Sequence, residues 1–269
     1  MVTKPALSPG RIKYLKEIRQ KKHAIFLAQI LFLVAFFILW EIAANLRWLD
    51  PFITSQPTRI VDTIILLHKD GSLYLHTATT VWETFIGFIL GTVGGILVAI
   101  LLWWSNFLCK VVQPYLVVLN AIPKVALGPI LVVWMGNGQL AIITMALLIS
   151  IIVSIISMLD AFLTVDPDKI KLVKTFGATK AQILTKVILP ASLPQMISAL
   201  KVNVGLSWVG VIMGEFLVSK AGLGYLIVYG SQVFKLDIVM ASIIILAIAA
   251  AIMYLAVSYF EKKVLKWQQ

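Results

Sequence analysis

Apolar residues along this chain gather in long runs, with neither the strict alternation of a half-buried strand nor the narrow stripe of a surface helix. Six runs, over residues 24–45, 77–104, 111–135, 139–160, 191–218 and 237–260, each reach the roughly 20 residues that cross a hydrocarbon core. Lipid offers no partner to a free backbone amide, and the ten-residue alternation of barrel strands is absent, so all six are expected to be helices. Between the fourth and fifth runs lies a polar, lysine-rich island, residues 166–190, DPDKIKLVKTFGATKAQILTKVILP. Asp166 and Pro167 suit an N-cap and first turn, and Gly177 is the residue best able to end the helix that follows. Thr179 with Gln182 has capping-box spacing, and Ile183, Leu184, Val187 and Ile188 recur on one helical face. The island therefore predicts two short helices bent at a glycine.

Composition agrees with a membrane protein: 60% of the 269 residues are hydrophobic, 13% are charged, and the mean hydropathy is +0.97. A net charge of +11 would point to nucleic acid in a soluble protein, but here it asks on which side of the membrane the basic residues lie. Residues 1–23 carry seven Lys and Arg against Glu17, so this leader reads as a cytoplasmic tail. Part of it either lies on the membrane through Tyr14, Leu15 and Ile18 or is a solvated arm. It precedes an apolar run longer than the 7 to 15 residues of a secretory signal, so the first run reads as a permanent span. Six crossings return the C-terminus to the cytoplasm and place 16 of the 23 Lys and Arg residues inside, as the positive-inside rule requires. The single Cys109 excludes an intramolecular disulfide, and His23, His68 and His76 have no metal-ligand spacing, so no metal is expected.

Several spans carry marks of their own. The external connection 46–75 has room for a short helix around residues 59–68. Gly87, Gly91 and Gly95 form a stripe at four-residue intervals that favours close helix packing, and Trp103 and Trp104 sit where a span reaches its inner interface. In the third span Pro114, Pro123 and Pro129 predict a kinked or broken helix, with Lys124 near its middle. Irregular backbone at that depth is tolerated where it is buried in protein or lines a water-filled cavity. Lys124 either serves a site there or snorkels or pairs with a structural acid. In the fifth span Lys201, Trp208 and Glu215 share one face at seven-residue spacing. They read either as a pathway face or subunit contact, or as two interfacial charges with a packed tryptophan between. Gly210 and Gly214 suggest a close helix neighbour, and residues 225–228 a short surface helix or re-entrant turn.

Chemistry on a substrate is not indicated. There is no GxxxxGK[ST] phosphate loop, no dinucleotide fingerprint after a strand, and no catalytic cluster of His, Cys or carboxylates, so neither catalytic residues nor a cofactor are expected in this chain. The paired helices of the island resemble a DNA-reading helix-turn-helix, but flanking spans hold them at the bilayer surface, where a knob fits a groove on another protein better.

Gly177, Val187, Leu189 and Pro190 have the spacing of the EAA loop of bacterial ABC importer permeases. LNAIPKVALGPILVVWMGNG and LSWVGVIMGEFLVSKAGLGYLI resemble the nitrate, sulfonate, taurine and bicarbonate branch, and the likeness runs from about Trp40 onward. Lys171, Leu172 and Val173 stand where the Glu-Ala-Ala would be. The resemblance implies an all-α membrane protein of the type I ABC importer permease fold: six spans over residues 24–269 with a cytoplasmic two-helix coupling loop at about 161–190. It implies a bacterial inner-membrane protein that pairs with a second permease copy. ABC ATPase subunits would carry ATP and Mg, an extracytoplasmic binding protein would deliver solute, and nucleic acid would have no part. The ATPase-coupling contact is then expected at Lys171, Lys174, Thr175, Phe176, Gly177, Ala178, Thr179, Lys180 and Gln182. Asn120, Pro123, Lys124, Lys201, Asn203, Trp208 and Glu215 are expected to border the translocation pathway. The expected cargo is a small solute, an anion such as a sulfonate, nitrate or taurine, with a vitamin or pyrimidine precursor as the alternative. The rival class is an ion-coupled secondary carrier, in which Lys124, Lys201 and Glu215 would serve coupling; the structured island has no place in it.

Overall fold

A computed structural model describes residues 9–265 of the chain; among them every regular element is helical. Two compact units divide at Asp62 and Thr63. In the first, α1 (Pro9–Asn45) and α2 (Pro51–Thr54) lead into α3 (Pro57–Lys69). The expected boundary at residue 23 leaves no mark on α1, which runs unbroken from the leader into the first span; residues 1–8 of the expected tail lie outside the described residues. Glu41 ties the α3 start to α1, accepting from the Thr58 amide at 3.1 Å and its hydroxyl at 2.9 Å.

The second unit holds the remaining spans. They are α4 (Ser72–Trp104), α5 (Asn106–Ala121) with α6 (Gly128–Met135), α7 (Gln139–Leu163), α10 (Leu189–Val218) and α12 (Leu236–Val264). The island contributes α8 (Pro167–Thr175) and α9 (Lys180–Ile183), and a π-helical turn at Leu184–Ile188 carries α9 into α10. A last short helix, α11 (Leu223–Gln232), precedes α12. All six expected spans are thus present, with five continuous and one broken: α5 and the α6 segment bend by 83° where Ile122 turns extended before Pro123.

Lipid is as apolar as leucine, so helices in a bilayer associate through close packing and not through escape from water. This unit shows how. Gly87, Gly91 and Gly95 on α4 lie against Ala146, Ser150 and Ser154 on α7, two small-residue stripes in matching register. α7 also receives α10, with Gly210 against Ala146 and Gly214 against Ile142. Ala146 is therefore held between two glycines, and α7 is the central helix of the unit. The serines it presents close their own hydroxyls onto the preceding turn, Ser150 to the Ala146 carbonyl at 2.8 Å and Ser154 to that of Ser150 at 2.9 Å. Asn203 on α10 bridges Ser154 and Thr92 with its amide, joining the three helices through polar atoms.

The segment 225–228 belongs to a ten-residue helix, and it is not a surface feature. Leu223 and Leu226 on α11 are buried against neighbouring helices.

Candidate functional site

The two ends of this unit are built differently. At one end the island 166–190 folds as its local chemistry dictates. Asp166 caps α8, accepting from the Asp168 amide at 2.9 Å, and α8 closes in a Schellman turn: the Gly177 amide donates to the Lys174 carbonyl at 2.9 Å and the Ala178 amide to that of Val173 at 3.2 Å. Gly177 makes this possible with φ +79, a conformation that costs any L side chain. The capping box of α9 is complete, with the Gln182 amide on the Thr179 hydroxyl at 3.3 Å and the Thr179 amide on Gln182 Oε1 at 2.8 Å.

One face of this knob is anchored. Ile183, Leu184 and Ile188 are buried among Leu102, Met158 and Phe162, with Ile170, Val173 and Ala178 packed beside them. Lys180 reaches the end of α4, donating to the Trp104 carbonyl at 2.5 Å with its ammonium about 6 Å from the Trp103 and Trp104 rings. A cation on an unpaired C-terminal carbonyl meets the negative end of that helix. The opposite face is free: Phe176 is 80% exposed and Leu172 is 58% exposed, flanked by exposed Lys171, Lys174 and Thr175. Lys171 pairs with Asp168 at 3.0 Å. Of the residues expected to meet an ATPase, the structure thus presents Lys171, Lys174, Thr175, Phe176 and Gln182 outward, while Ala178 and Lys180 brace the knob from behind.

The expected pathway residues separate into three places. Asn120 and Pro123 are exposed at the break between α5 and α6, and Lys124 lies half-buried beside them. The Lys124 ammonium turns back to the α5 terminus, donating to the Asn120 carbonyl at 3.2 Å and its side-chain oxygen at 3.4 Å, and so replaces acid partner and snorkel alike. Lys201 is paired with Glu261 on α12 at 2.5 Å. Asn203, Trp208 and Glu215 are buried inside the unit, Trp208 against Phe88 and Val204. The shared face of Lys201, Trp208 and Glu215 therefore turns towards other helices of the same chain and not onto an open surface.

Glu215 belongs to the second end. There the chain leaves α10, turns at Gly222 with φ +125, and starts α11, whose first amides all need acceptors. His76 Nδ1 accepts from Gly222 at 2.9 Å, Thr80 Oγ1 from Leu223 at 2.7 Å, and Glu215 Oε2 from Gly224 at 2.5 Å. A Cβ at Gly222 would fall on the Glu215 carboxylate, so glycine is required there by space as well as by backbone angle. Sequence reasoning missed His76, Thr80 and Glu83. The signal was present: they continue the Gly87, Gly91, Gly95 face backwards by helical steps, and an acid within a span is a site by default.

The profile of the family described as binding-protein-dependent transport system inner membrane component matches residues 91–266. An aliphatic sulfonates transport permease protein of Bacillus subtilis is 27% identical over 86% of this chain and 83% of its own length. A formylaminopyrimidine transport permease protein of Halalkalibacterium halodurans is 29% identical over 89% of this chain and 95% of its own. Among solved structures, a chain of a bacterial ABC transporter involved in the import of the acidic polysaccharide alginate superposes with a TM-score of 0.66 at 17% identity, covering 94% of this chain and 99% of that one.

Proposed function

Because this chain belongs to the family of binding-protein-dependent transport system inner membrane components, the multi-pass permease subunits of ABC importers, we propose that two copies of it form the pathway for a small organic anion such as a sulfonate or taurine, with nitrate as the inorganic counterpart. ATP and Mg act on separate ATPase subunits, and an extracytoplasmic binding protein delivers the solute. The observation that carries this reading is the knob of α8 and α9, anchored on one face and bare on the other. Its exposed Phe176 and Leu172 offer the aromatic and aliphatic anchors a partner groove takes up. Lys171 and Lys174 beside them favour an acidic groove, which suits a loop that lacks the usual glutamate. Both termini then lie in the cytoplasm with the knob, in keeping with the distribution of basic residues.

ATP-driven closure of the ATPase dimer moves two such knobs, and the helices packed on α7 carry that motion to the break between α5 and α6. Asn120, Pro123 and Lys124 at that break border the pathway. Asn203, Trp208 and Glu215 hold the helices together. The sulfonate permease among the relatives and the half-buried ammonium of Lys124 favour an anion; the formylaminopyrimidine permease is the observation that favours a pyrimidine precursor.

Reconstitution in liposomes with the ATPase and binding protein separates these. A binding protein loaded with an alkanesulfonate is expected to stimulate ATP hydrolysis several-fold over the unloaded protein. Stimulation by a pyrimidine alone would replace the anion with the second reading, and uptake that needs no ATPase would return the protein to the carrier class. Cysteines at positions 120, 123 and 124, in a Cys109-free background, are expected to react with small polar thiol reagents in at least one nucleotide state, whereas one at Trp208 stays silent. Silence at all three break positions would remove them from the pathway.

A further inference from the structure

The end of the unit away from the knob holds a carboxyl group that transport, as described so far, does not use. Glu83 on α4 is fully buried, and neither of its oxygens finds a hydrogen-bond partner. The Glu215 carboxyl adjoins it. Glu215 is itself buried; Oε2 takes the Gly224 amide, whereas Oε1 is without a donor.

The charges around this pair do not balance. The start of α11 presents a helix N-terminus, equivalent to roughly half an elementary charge, and this answers Glu215. A second carboxylate in the same enclosed space has nothing comparable, and two adjacent buried acids cannot both stay charged without a cation between them. Among the described residues no fixed group supplies one. His76 accepts the Gly222 amide on Nδ1, the arrangement of a neutral ring. Lys220 is exposed and its ammonium forms no ion pair with either acid. Tyr225, stacked on His76, brings no charge.

Access exists. A cavity of about 200 Å³ reaches Glu83 between α4, residues 137–139 and residues 218–221, lined in part by Asn137, Gln139, Ser219 and Lys220. Among the described residues no third carboxylate, histidine or cysteine completes a multivalent metal cluster, so the charge to be accommodated is a single one. We propose that Glu83 and Glu215 form a binding site for one small monovalent cation, a proton in the first instance, admitted through this cavity. A proton bonds one carboxyl oxygen, and the resulting O–H donates to the facing carboxylate; the pair is left with one negative charge, which the α11 terminus answers. A sodium or potassium ion between the oxygens would leave the same charge. The occupant joins α4 to α10 where α11 begins, so its loss sets like charges against each other at that end of the bundle.

Infrared spectroscopy of the full-length chain in lipid nanodiscs at neutral pH, in sodium- and potassium-free buffer, tests this. The wild type is expected to show the carbonyl stretch of a buried protonated carboxyl, shifted on exchange into heavy water and missing from Glu83→Gln. Where that variant fails to assemble, Glu215→Gln is expected to keep the band at a shifted frequency, because Glu83 then stays buried and protonated beside an amide, and a sodium or potassium titration of the wild type, read as melting temperature, needs no variant. A missing acid band together with a melting temperature that rises saturably with sodium or potassium identifies a metal ion as the occupant and keeps the site. Absence of both the acid band and any cation dependence overturns it, as does a band of unchanged intensity in Glu83→Gln.

Discussion

Gly210→Leu is expected to abolish assembly of the helix bundle. A Cβ at this position lands on the Ala146 backbone of α7, with the Ala146 amide nitrogen at 3.0 Å and its Cβ at 3.2 Å. Backbone cannot swing aside as a side-chain tip can, and α7 is tightly held on α4 as well, where a Cβ at Gly87 would be 2.7 Å from the Ala146 Cβ. Overpacking costs about 1–3 kcal/mol where neighbours can adjust. Leucine here adds four carbons where none fits, so the cost exceeds that range and the yield of monodisperse protein after detergent extraction falls at least tenfold. Gly205→Leu on the same helix is the control, since nothing lies within 4 Å of its Cβ position. Near-normal yield for Gly205→Leu and near-zero yield for Gly210→Leu is the expected pair; equal yields would show that contact between α7 and α10 does not limit assembly.

Gly177→Val is expected to leave the bundle assembled and disconnect it from ATP hydrolysis. Space is not the obstacle, since a Cβ at Gly177 meets no atom within 4 Å. The obstacle is φ +79, where a β-branched residue is strained by about 1–3 kcal/mol. The Schellman turn relieves that strain by opening, and opening re-aims Phe176 and α8 relative to α9. At 1.4 kcal/mol per tenfold, the population of correctly shaped knob drops by about 5- to 150-fold, and stimulation of the ATPase by loaded binding protein drops with it. Asparagine tolerates the left-handed region, so Gly177→Asn should keep most of the stimulation. Full stimulation in the valine variant would mean that the bend at Gly177 is not part of the coupling path. The two substitutions separate the two meanings of glycine in this chain, closeness at Gly210 and backbone freedom at Gly177.

Much of the knob was legible because its determinants are local. Asp166, Gly177, Thr179 and Gln182 each act on amides or carbonyls within a few residues, so their spacing already states the geometry. The break at Pro123 was legible for the same reason, although its 83° bend was not, because the angle depends on what the α6 segment packs against. Lys201 shows the opposite case. Its heptad relation to Trp208 and Glu215 allowed a pathway face, a subunit contact or an interfacial charge, and nothing in it pointed to Glu261, sixty residues further on, which pairs with the ammonium. Lys124 shows it too: in place of the acid or the interface that a structural lysine would seek, its ammonium takes the carbonyl of Asn120 at the end of the preceding helix.

From the amino-acid order alone follow the membrane, the number of crossings, the broken span, the bent pair of helices and the family. All of these rest on run length, local hydrogen bonding or recurring spacing, which a one-dimensional chain records directly. Which glycine stripe meets which helix, that Ala146 meets both Gly87 and Gly210, and that Glu83 adjoins Glu215 near the start of α11 came only from the tertiary structure. A buried charge is defined by neighbours brought in from remote parts of the chain, and no periodicity announces who they are.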